Sequence, residues 1–110
     1  MALMVYMTAS SLEEAHRIAE DLVERRLAAG VNILPFVASV YRWKGAVRKA
    51  SEVALLAQTS EDRFEALVAR VCSLHSYETP CIVALPMLHA NAAFLDWIDA
   101  ETQSFYENDR

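Results

Sequence analysis

Two long runs of β-branched and aromatic residues flank a tight turn in the middle of the chain, between residues 31 and 58. Such residues suit a pleated, half-buried surface, so the pattern predicts two antiparallel strands over 31–43 and 46–58. Gly45 supplies the positive φ that a short hairpin turn needs. Pro35 removes a hydrogen-bond donor from the first strand, which predicts a bend, a bulge or an edge position there.

The predicted hairpin is long for the domain that carries it. Its first strand would span roughly 40 Å if fully extended, whereas a domain of this size has a radius of gyration of about 13 Å. The hairpin must therefore bend sharply or project beyond its own domain. Because a projecting apolar ribbon would be an aggregation hazard, we expect another subunit to cover it.

The first part of the chain predicts a strand followed by a helix. Residues 2–7 form an almost continuous apolar run, which is typical of a central strand buried on both faces. A capping box of Ser11 with Glu14, or of the pair one residue earlier, predicts the start of the helix. We expect this helix to end at Gly30. Its apolar face at helical spacing comprises Leu12, Ala15, Ile18, Ala19, Leu22, Val23 and Leu27.

The last part of the chain predicts a helix, a strand and a further helix. Thr59 and Ser60 are expected to cap the first of these helices, which should stop near Leu74. Residues 81–85 predict the fourth strand, and Asn91 is expected to cap the final helix. The apolar positions of the two helices are Phe64, Leu67, Val68, Val71 and Cys72, and then Phe94, Leu95, Trp97, Ile98 and Phe105. The tail, residues 107–110, is expected to fray.

The resulting order of elements is βαββαβ with an additional C-terminal helix. Two right-handed crossovers on one antiparallel sheet predict an α+β, ferredoxin-like sandwich that takes up residues 1–110 as a single domain. Strands one and three should be central. Strand two, which the long hairpin joins to strand three, should lie at an edge.

Composition narrows the choice of partners and compartment. The chain carries a net charge of −5 and no long basic cluster, which argues against a nucleic-acid partner. No apolar run reaches the length of a membrane span, and the N-terminal segment lacks the basic start of a signal peptide. We therefore expect a cytoplasmic protein without a membrane partner. Cys72 and Cys81 lack CxxC spacing and are expected to be reduced structural thiols.

The sequence offers no motif for catalysis or for a preformed zinc centre. No GxSxG elbow occurs and neither cysteine lies at a predicted helix N-terminus, so we expect no enzymatic activity. No HxxxH, HExxH or CxxC spacing occurs, although His75 and Glu78 share one short loop. Trp43 and Tyr77 have two interpretations, as aromatic packing against a neighbouring subunit or as walls of a binding pocket.

Several short motifs follow one another along nearly the whole chain, and they are specific jointly rather than singly. They are Thr8-Ala9 before the first helix; Ala29-Gly30-Val31-Asn32-Ile33 with Pro35; Ser39-x-Tyr41-x-Trp43-x-Gly45 followed by Glu52; His75-x-Tyr77-x-x-Pro80 followed by Pro86; and Phe94-Leu95-x-Trp97. In this order they resemble the CutA divalent-cation tolerance family.

The resemblance implies a tight homotrimer of ferredoxin-like subunits, similar to the PII signalling proteins, in which the long hairpins pair between subunits. It also implies a cleft between subunits that is lined by Tyr41, Trp43, Glu52 and Tyr77. The implied role is metal-ion homeostasis, with weak binding of copper or another divalent metal ion. The alternative is a PII-like signalling trimer that binds a small effector in the same cleft.

The metal ligands implied by the resemblance are altered in this sequence. Family members to which copper binding is ascribed carry Cys where Met7 stands and two adjacent histidines where Leu74 and His75 stand. His75 is therefore the retained ligand, and Met7 is a soft substitute that suits copper(I). The neighbours expected to assist them are Cys81, Glu52 and Glu78.

Overall fold

The computed structural model describes residues 1–103, and its elements follow the predicted order. They are β1 (Ala2–Ala9), α1 (Leu12–Glu24), β2 (Gly30–Trp43), β3 (Ala46–Ser60), α2 (Phe64–Leu74), β4 (Ile82–Pro86) and α3 (Ala92–Glu101). A 3₁₀ turn, Glu61–Arg63, precedes α2. Phe105 and the tail predicted to fray, residues 107–110, lie outside the described residues.

The four strands form one antiparallel sheet in the order β2-β3-β1-β4. As predicted, β1 and β3 are central and β2 lies at an edge. The prediction that β1 is buried on both faces is wrong. Leu3, Val5 and Met7 are buried, but the residues that alternate with them are only half-buried. Helices α1 and α2 both cover the same face of the sheet. The opposite side of β1 therefore remains partly accessible.

Helices α1 and α2 build the core against this first face of the sheet. Their buried apolar side chains are Ala15, Ile18, Ala19, Leu22, Leu67 and Val71. The predicted apolar faces are wider than the observed ones, because Leu12, Val23 and Cys72 are exposed. These three residues lie at the margins of the apolar stripes, where the sheet no longer covers them.

Thr59 and Ser60 belong to the end of β3 and do not cap α2 with their side chains. The Thr59 hydroxyl donates to the Leu27 carbonyl at 2.7 Å, and the Ser60 hydroxyl lies 3.1 Å from that of Thr102. Both side chains therefore tie β3 to the segments that follow α1 and α3. Asn91 occupies the N-cap position of α3, but its side chain makes no capping hydrogen bond.

Gly30 has a different role from the predicted one. Helix α1 ends at Glu24, and Arg26 adopts the left-handed conformation, with φ at 61°. Gly30 instead begins β2, where an added Cβ would lie 2.9 Å from Gln58 Oε1 and 3.0 Å from the Trp97 ring. The close approach of α3 to the sheet therefore requires this glycine.

The hairpin extends past the four-stranded part of the sheet. β1 ends at Ala9, opposite Val53, so residues 37–52 form a two-stranded segment, here called the ribbon. Val40 and Val47 on the ribbon are 68% and 62% exposed. The molecule measures 48 × 31 × 23 Å along its principal axes. Of the two predicted alternatives, a sharp bend or a projection, the hairpin therefore shows the projection.

Both irregularities predicted in the hairpin occur. The register of β2 against β3 shifts between Leu34 and Val37, which brackets Pro35. Lys44 and Gly45 form the turn with φ values of 50° and 81°. The left-handed conformation thus extends to the lysine, which presents its side chain at the tip of the ribbon.

The second face of the sheet, opposite α1 and α2, is largely open. Met4 and Tyr6 pair with Leu85 and Val83, so the four side chains share this face. Leu85 and Val83 are 51% and 48% exposed. Helix α3 covers one end of the face through Trp97. Within residues 1–103, no helix is both long and apolar enough to cross a membrane.

Candidate ligand-binding cleft

A cleft of about 790 Å³ lies between the ribbon and the loop that joins α2 to β4. The ribbon contributes Tyr41, Trp43 and Glu52, and the loop contributes Tyr77. The structure therefore brings together the four residues that the sequence suggested for a cleft. The volume lies within the range typical of small-molecule sites.

Tyr77 and Glu52 connect the two walls of the cleft. The Tyr77 hydroxyl donates a hydrogen bond of 2.6 Å to Glu52 Oε2. Burial raises the pKa of Tyr77 above its ordinary value of 10.0, and the neighbouring Glu52 carboxylate raises it further. The phenol therefore stays protonated and acts as a donor, which holds the Glu52 carboxylate at a fixed position on the cleft wall.

His75 holds the loop in place from below the cleft. Its Nε2 lies 2.8 Å from the Thr8 carbonyl oxygen, and its Nδ1 accepts a 3.1 Å hydrogen bond from the Tyr77 amide. Because Nδ1 accepts and a carbonyl cannot donate, the proton of the neutral ring is on Nε2. The side chain is 1% exposed and its ring packs on that of Tyr77. His75 thus positions Tyr77.

Glu14 anchors the same loop from the start of α1. Its Oε1 accepts from the amide and hydroxyl of Ser10, and its Oε2 accepts from the amide of Ser76. Burial raises the pKa of this carboxyl, but the hydrogen bonds from Ser10 and Ser76 outweigh that effect and lower the pKa from 4.5 to about 2. Glu14 is therefore a buried carboxylate with three donors directed at it.

The sequence did not identify Glu14 as part of this site. The sequence predicts a capping box there, and the Ser11 hydroxyl does accept from the Glu14 amide at 3.1 Å. The Glu14 side chain, however, turns back to Ser10 and across to Ser76 instead of to the Ser11 amide. A local capping pattern cannot reveal a contact with a loop 62 positions away.

The suggested metal ligands do not form a metal centre. Met7 is 1% exposed in the core, and both nitrogens of His75 are engaged with the backbone. Cys81 is half-buried in the cleft lining, where burial raises the pKa of its thiol and Glu52 raises it further. Among residues 1–103, no group of three His, Cys, Asp or Glu side chains is placed to hold a metal ion. The donor set thus does not fit a preformed site.

The fold and cleft define a class of small ferredoxin-like α+β proteins with a projecting hairpin and a ligand-sized cleft at its side. The model of the family described as CutA1 divalent ion tolerance protein matches residues 3–101. The chain belongs to this family.

Relatives agree with this assignment along most of their length. The divalent-cation tolerance protein CutA of Archaeoglobus fulgidus is 46% identical over 95 residues, which covers 86% of this chain and 92% of that protein. The Thermus thermophilus protein of the same description is 46% identical over 99 residues, with 90% and 96% covered. The solved structure of divalent cation tolerance protein from T. thermophilus superposes with a TM-score of 0.91 over 94% of this chain and 100% of that one.

Proposed function

We propose that this chain acts in divalent-cation tolerance as a homotrimeric binding protein without catalytic turnover, whose ligand occupies the cleft beside the ribbon. The observation that carries the proposal is the cleft itself. Residues from two distant segments, Tyr41 and Trp43 on the ribbon and Tyr77 on the loop, line one ligand-sized space.

The support for self-association comes from two uncovered apolar surfaces. Phe36 and Val40 on the hairpin are 69% and 68% exposed, and Leu85 and Val83 lie on the open face of the sheet. Large exposed apolar patches on small domains mark interaction sites. A ring of identical chains can bury both surfaces, since a closed ring lets one surface of each subunit meet the other surface of its neighbour.

A signalling mechanism follows if the cleft lies at a subunit boundary, as in the PII-like hypothesis. A ligand held between the ribbon and the loop would bias the position of the ribbon. Because the ribbon is the proposed contact with the next subunit, occupancy would alter the surface that the assembly presents to a protein partner. Binding would then affect cation tolerance by signalling instead of by sequestration.

Weak binding of copper or another divalent ion is the second candidate function. It is favoured by the presence of a carboxylate and a thiol, Glu52 and Cys81, in the lining of the same cleft. A carboxylate and a thiol are two donors, so an ion bound there would need further donors from a neighbouring subunit or from water. Such a site would form only in the assembled protein.

Native mass spectrometry of untagged protein, purified without chelator, tests assembly and ligand together. A trimer with bound organic mass supports effector binding, whereas a trimer that carries copper, lost in a Glu52→Gln, Cys81→Ser double variant, supports the second candidate. A folded monomer would contradict the proposed assembly.

A thermal-shift screen then tests the cleft. A ligand at 100-fold its dissociation constant stabilises the folded state by about 2.7 kcal/mol, enough to move the midpoint. A compound that stabilises the parent protein but not Tyr77→Phe binds in the cleft. If no metabolite or metal ion stabilises the protein, the cleft is not a ligand site.

The proposed compartment is the cytoplasm. Cys72 and Cys81 are both free thiols, which suits a reducing environment. Fractionation of cells that produce the protein at its natural level tests this, and recovery with the cell envelope would contradict it.

A further inference from the structure

The lining of the cleft has the electrostatics of a cation site. Four aromatic side chains line it, namely Tyr6, Tyr41, Trp43 and Tyr77. The face of an aromatic ring carries partial negative charge and attracts cations. Glu52 and Glu78 add two carboxylates, and none of the described lining residues is Lys, Arg or His. Arg48 is the register partner of Tyr41 and so shares its face of the ribbon, but it is not among the residues that line the cleft.

Lys44 already presents an ammonium group to this lining. Its Nζ lies 5.7 Å from the centroid of the Trp43 ring and 3.6 Å from Glu78 Oε1. The side chains of Lys44 and Glu78 are 66% and 71% exposed, so solvent screens the pair and a competing cation can replace it. The contact shows that an aromatic face and a carboxylate lie close enough to hold one ammonium between them.

The same lining suits a hard divalent ion poorly. Such ions take six or more oxygen ligands at about 2.0–2.6 Å. Glu52 Oε2 already accepts the Tyr77 hydroxyl, and aromatic faces supply no ligand atoms. A weakly hydrated organic cation needs no coordination sphere and gains from every ring that it touches.

We infer that the cleft binds a small organic cation, an alkylammonium compound with an apolar body. This inference rests on the proposed function, because it names the ligand class of the same cleft. The tethered Lys44 ammonium acts as an internal competitor that the free ligand displaces.

Isothermal titration of the untagged, assembled protein with three probes of one shape tests the inference. The probes are choline, its neutral isostere with a tert-butyl group in place of trimethylammonium, and the corresponding carboxylate. Choline should bind about tenfold more tightly than the neutral isostere, the size of a desolvated cation–π contact. The carboxylate should bind more weakly than either.

Variants of two lysines separate the proposed competitor from general charge. Lys44→Gln should tighten choline binding about two- to fivefold, the range of an exposed ion pair. Lys49→Gln changes the net charge equally, but Lys49 itself is not among the residues that line the cleft. Its affinity for choline should equal that of the parent protein.

Variants of the lining complete the test. Trp43→Leu should weaken choline binding about tenfold. Glu52→Gln removes a charge but keeps an acceptor for Tyr77, so it also weakens binding and serves as the test if Trp43→Leu fails to assemble. Three outcomes would overturn the organic-cation inference and leave the proposed function standing. They are equal affinity for choline and its neutral isostere, tighter binding of the carboxylate than of choline, and no binding of choline while the thermal-shift screen yields another ligand of the cleft. If no compound of any class binds, both fall.

Discussion

Glu14 and Ser76 lie 62 positions apart in the chain and are joined by a 2.8 Å hydrogen bond from the Ser76 amide to the Glu14 carboxylate. This bond fixes the start of the loop that carries Tyr77 to the N-terminal end of α1. The shape of the cleft therefore depends on a carboxylate that does not line it.

Acid should reveal the contribution of Glu14 to stability. Its pKa is lowered in the folded state, so its contribution is complete above 4.5 and is lost as the pH falls towards about 2. In Glu14→Gln an amide NH₂ must face a backbone donor. We therefore expect the free energy of unfolding to fall by on the order of 2–3 kcal/mol at neutral pH. Urea unfolding at a series of pH values from 7 to 2 measures the free energy of unfolding of the parent protein and of Glu14→Gln. The difference between them should shrink with acid; a constant difference would contradict the assignment.

Alkaline titration should identify Tyr77. Its pKa is raised above the ordinary 10.0, so its contribution to stability should be complete below that value and be lost as the pH rises above it. In Glu52→Gln the nearby negative charge is gone, and one tyrosine should ionise at lower pH. Ultraviolet absorbance of tyrosinate follows this, with Tyr77→Phe to assign the step. A curve identical to that of the parent protein would exclude Glu52 as a cause.

Charge on the ribbon should block assembly. Val40→Asp places a carboxylate where the proposed neighbour packs, and we expect insoluble or unfolded protein. Leu88→Asp is the matched control, because Leu88 is equally exposed but lies in the loop after β4, away from the ribbon. Sedimentation and circular dichroism measure the result. Recovery of a well-folded Val40→Asp monomer would show that assembly is not obligatory.

Substitution of His75 should reduce stability without removing copper binding. His75→Ala loses two hydrogen bonds and leaves a cavity, which together cost about 2–4 kcal/mol. His75→Gln can keep the donor to Thr8 and His75→Asn can keep the acceptor for Tyr77, so each should lose less. Any copper affinity should be unchanged in whichever variant folds. Loss of copper binding by a folded His75→Gln protein would restore His75 as a ligand.

A methyl group at Gly30 should strain the contact with α3. Gly30→Ala places a Cβ against Gln58 and the rigid Trp97 ring, and we expect a cost of about 1–2 kcal/mol. Gln58 is a flexible side chain that can move aside, so the strain comes mainly from Trp97. The double variant Gly30→Ala, Trp97→Leu should lose less stability in thermal unfolding than the sum of the losses measured for the two single variants. Simple additivity would contradict this contact.

The arrangement of strands could be predicted because it depends on patterns that are local in sequence. The long β-branched run predicts a strand, the turn at Gly45 predicts a hairpin and Pro35 predicts an irregularity close to it, and the order of elements then indicates the topology. The prediction that the first helix ends at Gly30 is wrong for the same reason. A glycine after a helical pattern suggests a cap, and only tertiary packing reveals that the Trp97 ring excludes a side chain there.

The cleft could be predicted in part. Trp43 and Tyr77 could be considered as pocket walls from the sequence itself, and the resemblance added Tyr41 and Glu52 to them. The burial of His75 could not be predicted, because its two hydrogen bonds go to backbone groups, which any sequence provides. The same holds for Glu14, whose partner is the amide of Ser76.

The ribbon makes the cleft sensitive to the concentration of the protein itself. Its amides bond only across two strands, so they should exchange with solvent quickly in an isolated subunit and slowly once neighbours pack against it. If three chains assemble as proposed, dilution would loosen the cleft wall before it unfolds the core. The amount of bound ligand would then increase more than linearly with protein concentration. The amount of protein synthesised would itself regulate binding.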